Sequence, residues 1–173
     1  MKKIVLFGEL MLRLRPEGKE RLFQKPLFEA VFGGSEANVA VSLARLGERA
    51  VYVTAFPDNA LGMAGKSSLM GHGVDVKPLF REGRLGIYFL EGGACQRPSN
   101  VIYDREGSSL SLASPDEYDW KEIFCDADWF HLSGVTPAIS ENAYLSAFRA
   151  IEEAKKAGCT VSLDLNYRKK LWR

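Results

Sequence analysis

The sequence predicts an α/β fold, with a mainly parallel sheet flanked by helices on both faces and a smaller antiparallel sheet inserted into it. Three observations carry that expectation: short, wholly apolar runs; helical patterns between them; and two regions where apolar and polar residues alternate with no helix between. At 173 residues and 46% hydrophobic content, the chain is long enough to bury one substantial core.

The apolar runs at residues 4–7, 50–55, 129–132 and 160–165 are of the kind buried in a parallel sheet. Residues 10–32 and 84–112 contain LFEAVF, RLGIYFLE and SNVIYDR, the alternation of strands with one wet face. Such an insert covers a pocket, or else serves as an oligomer interface or a plain hairpin. At residues 33–47, GGSEANVAVSLARLG runs two glycines into a helix for which Ser35 is the expected N-cap. Ala37, Val39, Ala40, Val41, Leu43, Ala44 and Leu46 make that helix apolar nearly all round and place it deep in the core. Glu141–Lys156 is the clearest helix: Ser140 caps it, Tyr144, Ala147, Phe148 and Ile151 form its apolar stripe, Glu152 pairs with Lys156, and Gly158 stops it. No internal repeat, low-complexity tract or linker interrupts this order.

Charge and motifs exclude several classes. Lysine and arginine total 23 against 22 acids, and a net charge of +1 gives no case for a nucleic-acid or membrane partner. The start, MKKIVLFGELMLRLRPEG, is interrupted by Glu9, Arg13 and Arg15 too early for a signal peptide or a membrane span, so a cytoplasmic location is expected. Cys95, Cys125 and Cys159 are too scattered for a disulfide or zinc framework and read as inert packing residues. No metal ligand set is expected. GKSS at residues 65–68 imitates the end of a P-loop, but Ala60 stands where the required glycine would be and the segment reads as helix. His72 falls where a helix ends, and His131, among apolar strand residues, reads as a satisfied core histidine.

Two places carry candidate chemistry. A helix N-terminus offers unpaired amides and partial positive charge, and Gly33 and Gly34 clear the approach to them. Asn38, one turn in, faces the same mouth or satisfies a backbone carbonyl. In VSLDLNYRKKLW a strand turns polar at Asp164, Asn166 and Arg168, at a spacing that puts all three on one side of an extended chain. Ligands of open parallel sheets bind beyond such carboxyl ends. Glu9 and Asp58, at strand ends, touch a substrate or stabilise loops.

GGSEANVAVSLARLG resembles the N-terminal signature of the ribokinase-like, PfkB-type sugar kinases, and TAFPDNALG is similar to that family's Gly-Asp-Asp loop, with departures at Ala55 and Pro57. GELM, GIYFLEGGACQRPSNVIYDREGS, FHLSGVTPAIS and SLDLNYRKKLW together resemble the 2-keto-3-deoxygluconate kinase branch, so the resemblance spans essentially the whole chain. It implies a three-layer α/β/α fold with a small β lid, and ATP-dependent phosphorylation of a hydroxyl on 2-keto-3-deoxygluconate or a closely similar sugar acid. The alternatives are a kinase for another sugar or a nucleoside, and a non-catalytic sugar-binding fragment. By resemblance, Gly33, Gly34, Asn38, Tyr88, Tyr103, Arg105 and Arg168 hold the substrate, and Asn166 and Arg168 lie near the nucleotide; Glu9, Asp58 and Asp164 are further candidates from their places at strand ends. Arg105 on the lid and Arg168 on the sheet would clamp a carboxylate from both sides, or else are solvated surface charges. Relatives that pair their lids imply a homodimer.

The family's catalytic base stands in a GAGD segment and its magnesium-linked residues in NxxE, and neither motif occurs in this sequence. The expectation is therefore an N-terminal portion of a kinase, truncated before the nucleotide-binding half as a shortened product or an incomplete gene. Such a chain would hold no catalytic residue, bind ATP and Mg2+ poorly and be inactive alone, with the strand at residues 160–165 unpaired on one side.

Overall fold

The structure, a computed structural model, describes residues 1–169, 171 and 172. In chain order these form β1 (Lys3–Phe7), β2 (Met11–Pro16), β3 (Phe28–Gly33), α1 (Ser35–Arg45), β4 (Arg49–Pro57), α2 (Ala60–Gly71), β5 (Asp75–Arg81), β6 (Ile87–Glu91), β7 (Asn100–Asp104), α3 (Ser109–Leu112), α4 (Trp120–Phe124), β8 (Trp129–Ser133), α5 (Glu141–Lys156) and β9 (Thr160–Asp164). Short 3-10 turns stand at Pro115–Glu117 and Thr136–Ala138.

The apolar runs become one parallel sheet of five strands, ordered β5-β4-β1-β8-β9. β1 is central because both its faces are apolar: Val5 and Phe7 point into one core and Leu6 into the other. The first core gathers α3, α4 and α5 around Phe7, Phe124 and Phe130, with the Trp120 ring 5.3 Å from that of Phe7 at 90°. The second gathers α1 and α2 around Leu6, Tyr52 and Phe56. Layers on both faces follow, as expected for a parallel sheet. β5, which apolar continuity alone does not single out, adds an edge, and β9 pairs with β8 alone among the described residues.

The second sheet has four strands in the order β3-β2-β6-β7. Its outer pairs are antiparallel as expected, but β2 and β6 run parallel, so the sheet is mixed. The chain returns to it through the β4-α2-β5 crossover, which brings β6 in alongside β2 in the same direction.

Several local expectations need correction. Gly34, in extended conformation, is the N-cap of α1, and Ser35 is its first residue and caps nothing. That helix is not deep in the core: only Glu36, Ala37 and Ala40 are buried, while Leu46 is 80% exposed. Packed in an outer layer, it buries the one face that meets the sheet, whatever its apolarity elsewhere. In α5, Ser140 caps through its hydroxyl and Gly158 follows at φ 82°, as expected. The residues it buries, however, are Ala143, Ser146, Ala147, Ala150 and Ala154, because small side chains let the helix lie close to β8 and β9. Tyr144 and Phe148 stay partly exposed beside Leu163, Leu165 and Trp172. Lys156 pairs with Glu153 at 2.7 Å, not with Glu152. All three cysteines are free, but Cys95 and Cys125 are exposed and are not packing residues.

Residues 65–68 lie within α2, His72 is its C-cap, and His131 accepts or donates a 2.9 Å hydrogen bond at Ser162 Oγ. Among the described residues, no helix is long and apolar enough to cross a membrane. The alanine face of α5 makes one expectation concrete. Replacing Ala150, 0% exposed, by Leu forces a branched side chain between helix and sheet and is expected to cost about 1–3 kcal/mol in urea denaturation. Phe148→Ser, at a half-exposed position, is expected to cost less in the same measurement.

Candidate functional site

A cavity of about 460 Å³, within the usual range for small ligands, opens where the two sheets meet. Its floor is the start of α1, with Gly33, Gly34, Ser35 and Asn38. Tyr88 from β6, Tyr103 from β7 and Arg105 just after it form the wall from the second sheet. Asp164, Asn166 and Arg168, at the carboxyl end of β9, form the wall opposite. Apolar Met11, Val39, Leu90 and Val135 fill the spaces between, and sequence reasoning had no signal for them. Every residue that the resemblance assigned to substrate or nucleotide thus borders one space. Glu9 and Asp58 do not: Glu9 is buried behind the wall, and Asp58 is exposed after β4.

The floor is built by close packing. Gly34 has no side chain because one would not fit: a Cβ there would sit 2.3 Å from the Glu9 carbonyl oxygen and 3.3 Å from the Ala37 Cβ. The glycine is thus required by the chain passing behind it, and the bare α1 terminus it leaves is the result. Gly33 is less constrained, with only the Tyr88 hydroxyl near, 3.2 Å from where its Cβ would be. Asn38 is exposed at the mouth.

The β9 wall departs from the extended geometry that its spacing suggested. Asn166 has φ 38°, in the left-handed region that Asn tolerates, and its N–H donates to Asp164 Oδ1 at 3.0 Å. The chain therefore turns after Asp164 instead of alternating. Asn166 Nδ2 then donates to Ser35 Oγ at 2.8 Å, tying the end of β9 to the first residue of α1. The amide assigned to the nucleotide by resemblance is committed to joining two walls of the cavity. Arg168 is exposed.

On the opposite wall Arg105 is buried. Its Nη2 donates to Glu9 Oε2, and the Tyr103 ring centroid lies 5.7 Å from its Cζ. The Tyr88 and Tyr103 rings lie 6.0 Å apart.

Glu36, on the first turn of α1, was missed. It is 1% exposed, and its Oε1 accepts from the Ser133 N–H at 3.0 Å and from the Thr136 hydroxyl at 2.6 Å. It thereby joins the helix that floors the cavity to the turn after β8, whose Val135 also borders it. Burial pushes its carboxyl above the ordinary value, and the hydrogen bonds from Thr136 and Ser133 oppose that shift. Gly8 admits it, since a Cβ there would lie 2.3 Å from Glu36 Oε2.

Among the described residues no three His, Cys, Asp or Glu side chains come together to hold a metal ion.

A family model described as "pfkB family carbohydrate kinase" matches residues 1–173. A 2-dehydro-3-deoxygalactonokinase of Haloferax volcanii is 41% identical over 173 residues, covering 98% of this chain and 54% of that protein. A fructokinase of Klebsiella pneumoniae is 30% identical, covering 99% of this chain and 53% of that protein. The crystal structure of 2-dehydro-3-deoxygluconokinase from Thermotoga maritima superposes with a TM-score of 0.93 at 46% identity, covering 99% of this chain and 53% of that one. The chain spans about half the length of the curated relatives it matches.

The raised Glu36 carboxyl sets a pH dependence. A group whose folded pKa lies above its unfolded value contributes stability below the ordinary 4.5 and loses it as pH rises through the folded value. Glu36→Gln keeps the acceptor oxygen and removes the titration. Denaturation at pH values on both sides of 4.5 is therefore expected to show the wild type losing stability relative to the variant as pH rises.

Proposed function

The chain belongs to the pfkB family of carbohydrate kinases, and on that premise we propose that it forms the sugar-binding part of an ATP-dependent kinase for 2-keto-3-deoxygluconate or a closely similar sugar acid. The observation that carries this reading is Arg105, a buried guanidinium on the cavity wall whose Nε and Nη1 have no hydrogen-bond partner among the described residues. Unpaired buried donors on a permanent cation call for an anion, and a sugar carboxylate offers two acceptor oxygens to that planar fork. The 2-dehydro-3-deoxy sugar acids named for two similar proteins belong to the same substrate class.

Within this reading, Arg105 and Arg168 take the carboxylate from opposite walls. Gly33 and Gly34 let hydroxyls approach the α1 backbone, and Asn38, Tyr88 and Tyr103 orient them through their polar groups. The apolar side chains between them exclude water, which strengthens each polar contact. Asp164 is not assigned proton transfer, since its Oδ1 already accepts the Asn166 N–H. ATP supplies the phosphoryl group in a kinase, and positioning the acceptor hydroxyl is this chain's share of that chemistry. The 173 residues alone are proposed to bind the sugar acid without turning over nucleotide, to act in the cytoplasm, and to pair through the second sheet as a homodimer.

A neutral sugar is the competing reading, favoured by the similarity to a fructokinase. It would satisfy the tyrosines and Asn38 but leave the guanidinium without an anion. Calorimetric titration with 2-keto-3-deoxygluconate, fructose, ribose and adenosine separates the two. The sugar acid is expected to bind most tightly, and Arg105→Gln and Arg168→Gln each to cost about 1.5–3 kcal/mol of that binding, with exposed Arg168 at the lower end. Equal affinity for fructose, or arginine variants that bind the acid unchanged, would contradict the sugar-acid reading.

A further inference from the structure

We infer that Glu9 is a positioning residue: it holds the Arg105 guanidinium at the cavity wall and acts on a bound sugar acid only through it. The inference rests on the sugar-acid reading of the cavity.

Glu9 lies between β1 and β2, at the core sheet, and Arg105 directly follows β7 of the second sheet, 96 residues later. Both are buried, at 5% and 8% exposure. Arginine does not shed its charge, so a buried guanidinium without a counter-ion would leave for water. Glu9 is the only carboxylate hydrogen-bonded to it among the described residues. Arg105 borders the cavity and Glu9 does not, so the carboxylate grips the guanidinium from behind. One edge of the fork, at Nη2, is thereby occupied, while Nη1 and Nε are buried without a hydrogen-bond partner among the described residues. The backbone is shaped to admit this pair. At Gly86 a Cβ would lie 3.0 Å from Glu9 Oε1 and 3.3 Å from the Arg105 Cβ. The Tyr103 ring flanks the guanidinium and limits its swing.

The alternative role for Glu9, direct contact with sugar hydroxyls, makes a different prediction in a double-substitution cycle. Binding of 2-keto-3-deoxygluconate is measured by calorimetry for wild type, Glu9→Gln, Arg105→Gln and the double variant. Glu9→Gln alone is expected to lose affinity by about tenfold, and to lose no more once Arg105 is already replaced. Additive losses, or a Glu9→Gln variant that binds as well as wild type or better, would overturn the inference.

A second readout needs no ligand and judges Glu9 even if the chain binds no sugar acid, a result that would defeat the sugar-acid reading itself. In arginine side-chain NMR of the ligand-free protein, the resonance assigned through Arg105→Lys is expected to exchange slowly with water in wild type. In Glu9→Ala it is expected to exchange fast while the remaining spectrum stays folded. Slow exchange that survives in Glu9→Ala would show that something other than Glu9 holds the guanidinium.

Discussion

The buried pairing of Glu9 with Arg105 is the constraint on which the rest of the molecule depends. It joins the loop between β1 and β2 to the segment just after β7, and so links the core sheet to the second sheet at the edge of the cavity. A buried ion pair is weak evidence for stability, because desolvation offsets much of its attraction. Its value lies in geometry. The acid is anchored beside the central strand β1, so the arginine has one place to go, and that place faces the carboxyl ends of the parallel strands.

The remaining walls are tied to the same frame by a few polar links. Glu36 fastens the start of α1 to the turn after β8, and Asn166 fastens the end of β9 to Ser35. Three chain segments far apart in sequence therefore converge on one helix terminus. Close backbone approaches make this possible: Gly8 admits the Glu36 carboxylate and Gly34 admits the Glu9 carbonyl. A rim tied together in this way would suit the proposed role of positioning a sugar against a phosphoryl donor.

The parallel sheet was legible because its strands are apolar on both faces, as residues 4–7 and 50–55 are. β5 was not, since DVKPLFR carries charge and proline and its place at a sheet edge asks less apolarity of it. The depth of α1 was misread because apolarity around a helix does not say how many neighbours cover it. Glu36 was invisible for a different reason. An acid in a first helical turn is ordinarily explained by the helix dipole, and its true partners stand about 100 residues away. The site residues were legible through motif order, yet their conformations were not: the turn at Asn166 depends on an Asx contact that residue spacing does not encode. Nor did the sequence reveal that Glu9 and Arg105 are partners, since each alone reads as a separate candidate for ligand contact.

The most direct measurement is a crystal structure of the chain with 2-keto-3-deoxygluconate. The carboxylate is expected within hydrogen-bond distance of the Arg105 guanidinium, with the sugar lying along Gly33 and Gly34 and Glu9 still bonded to Nη2. A sugar carboxylate seated away from Arg105, or in direct contact with a Glu9 that has released the arginine, would contradict this account.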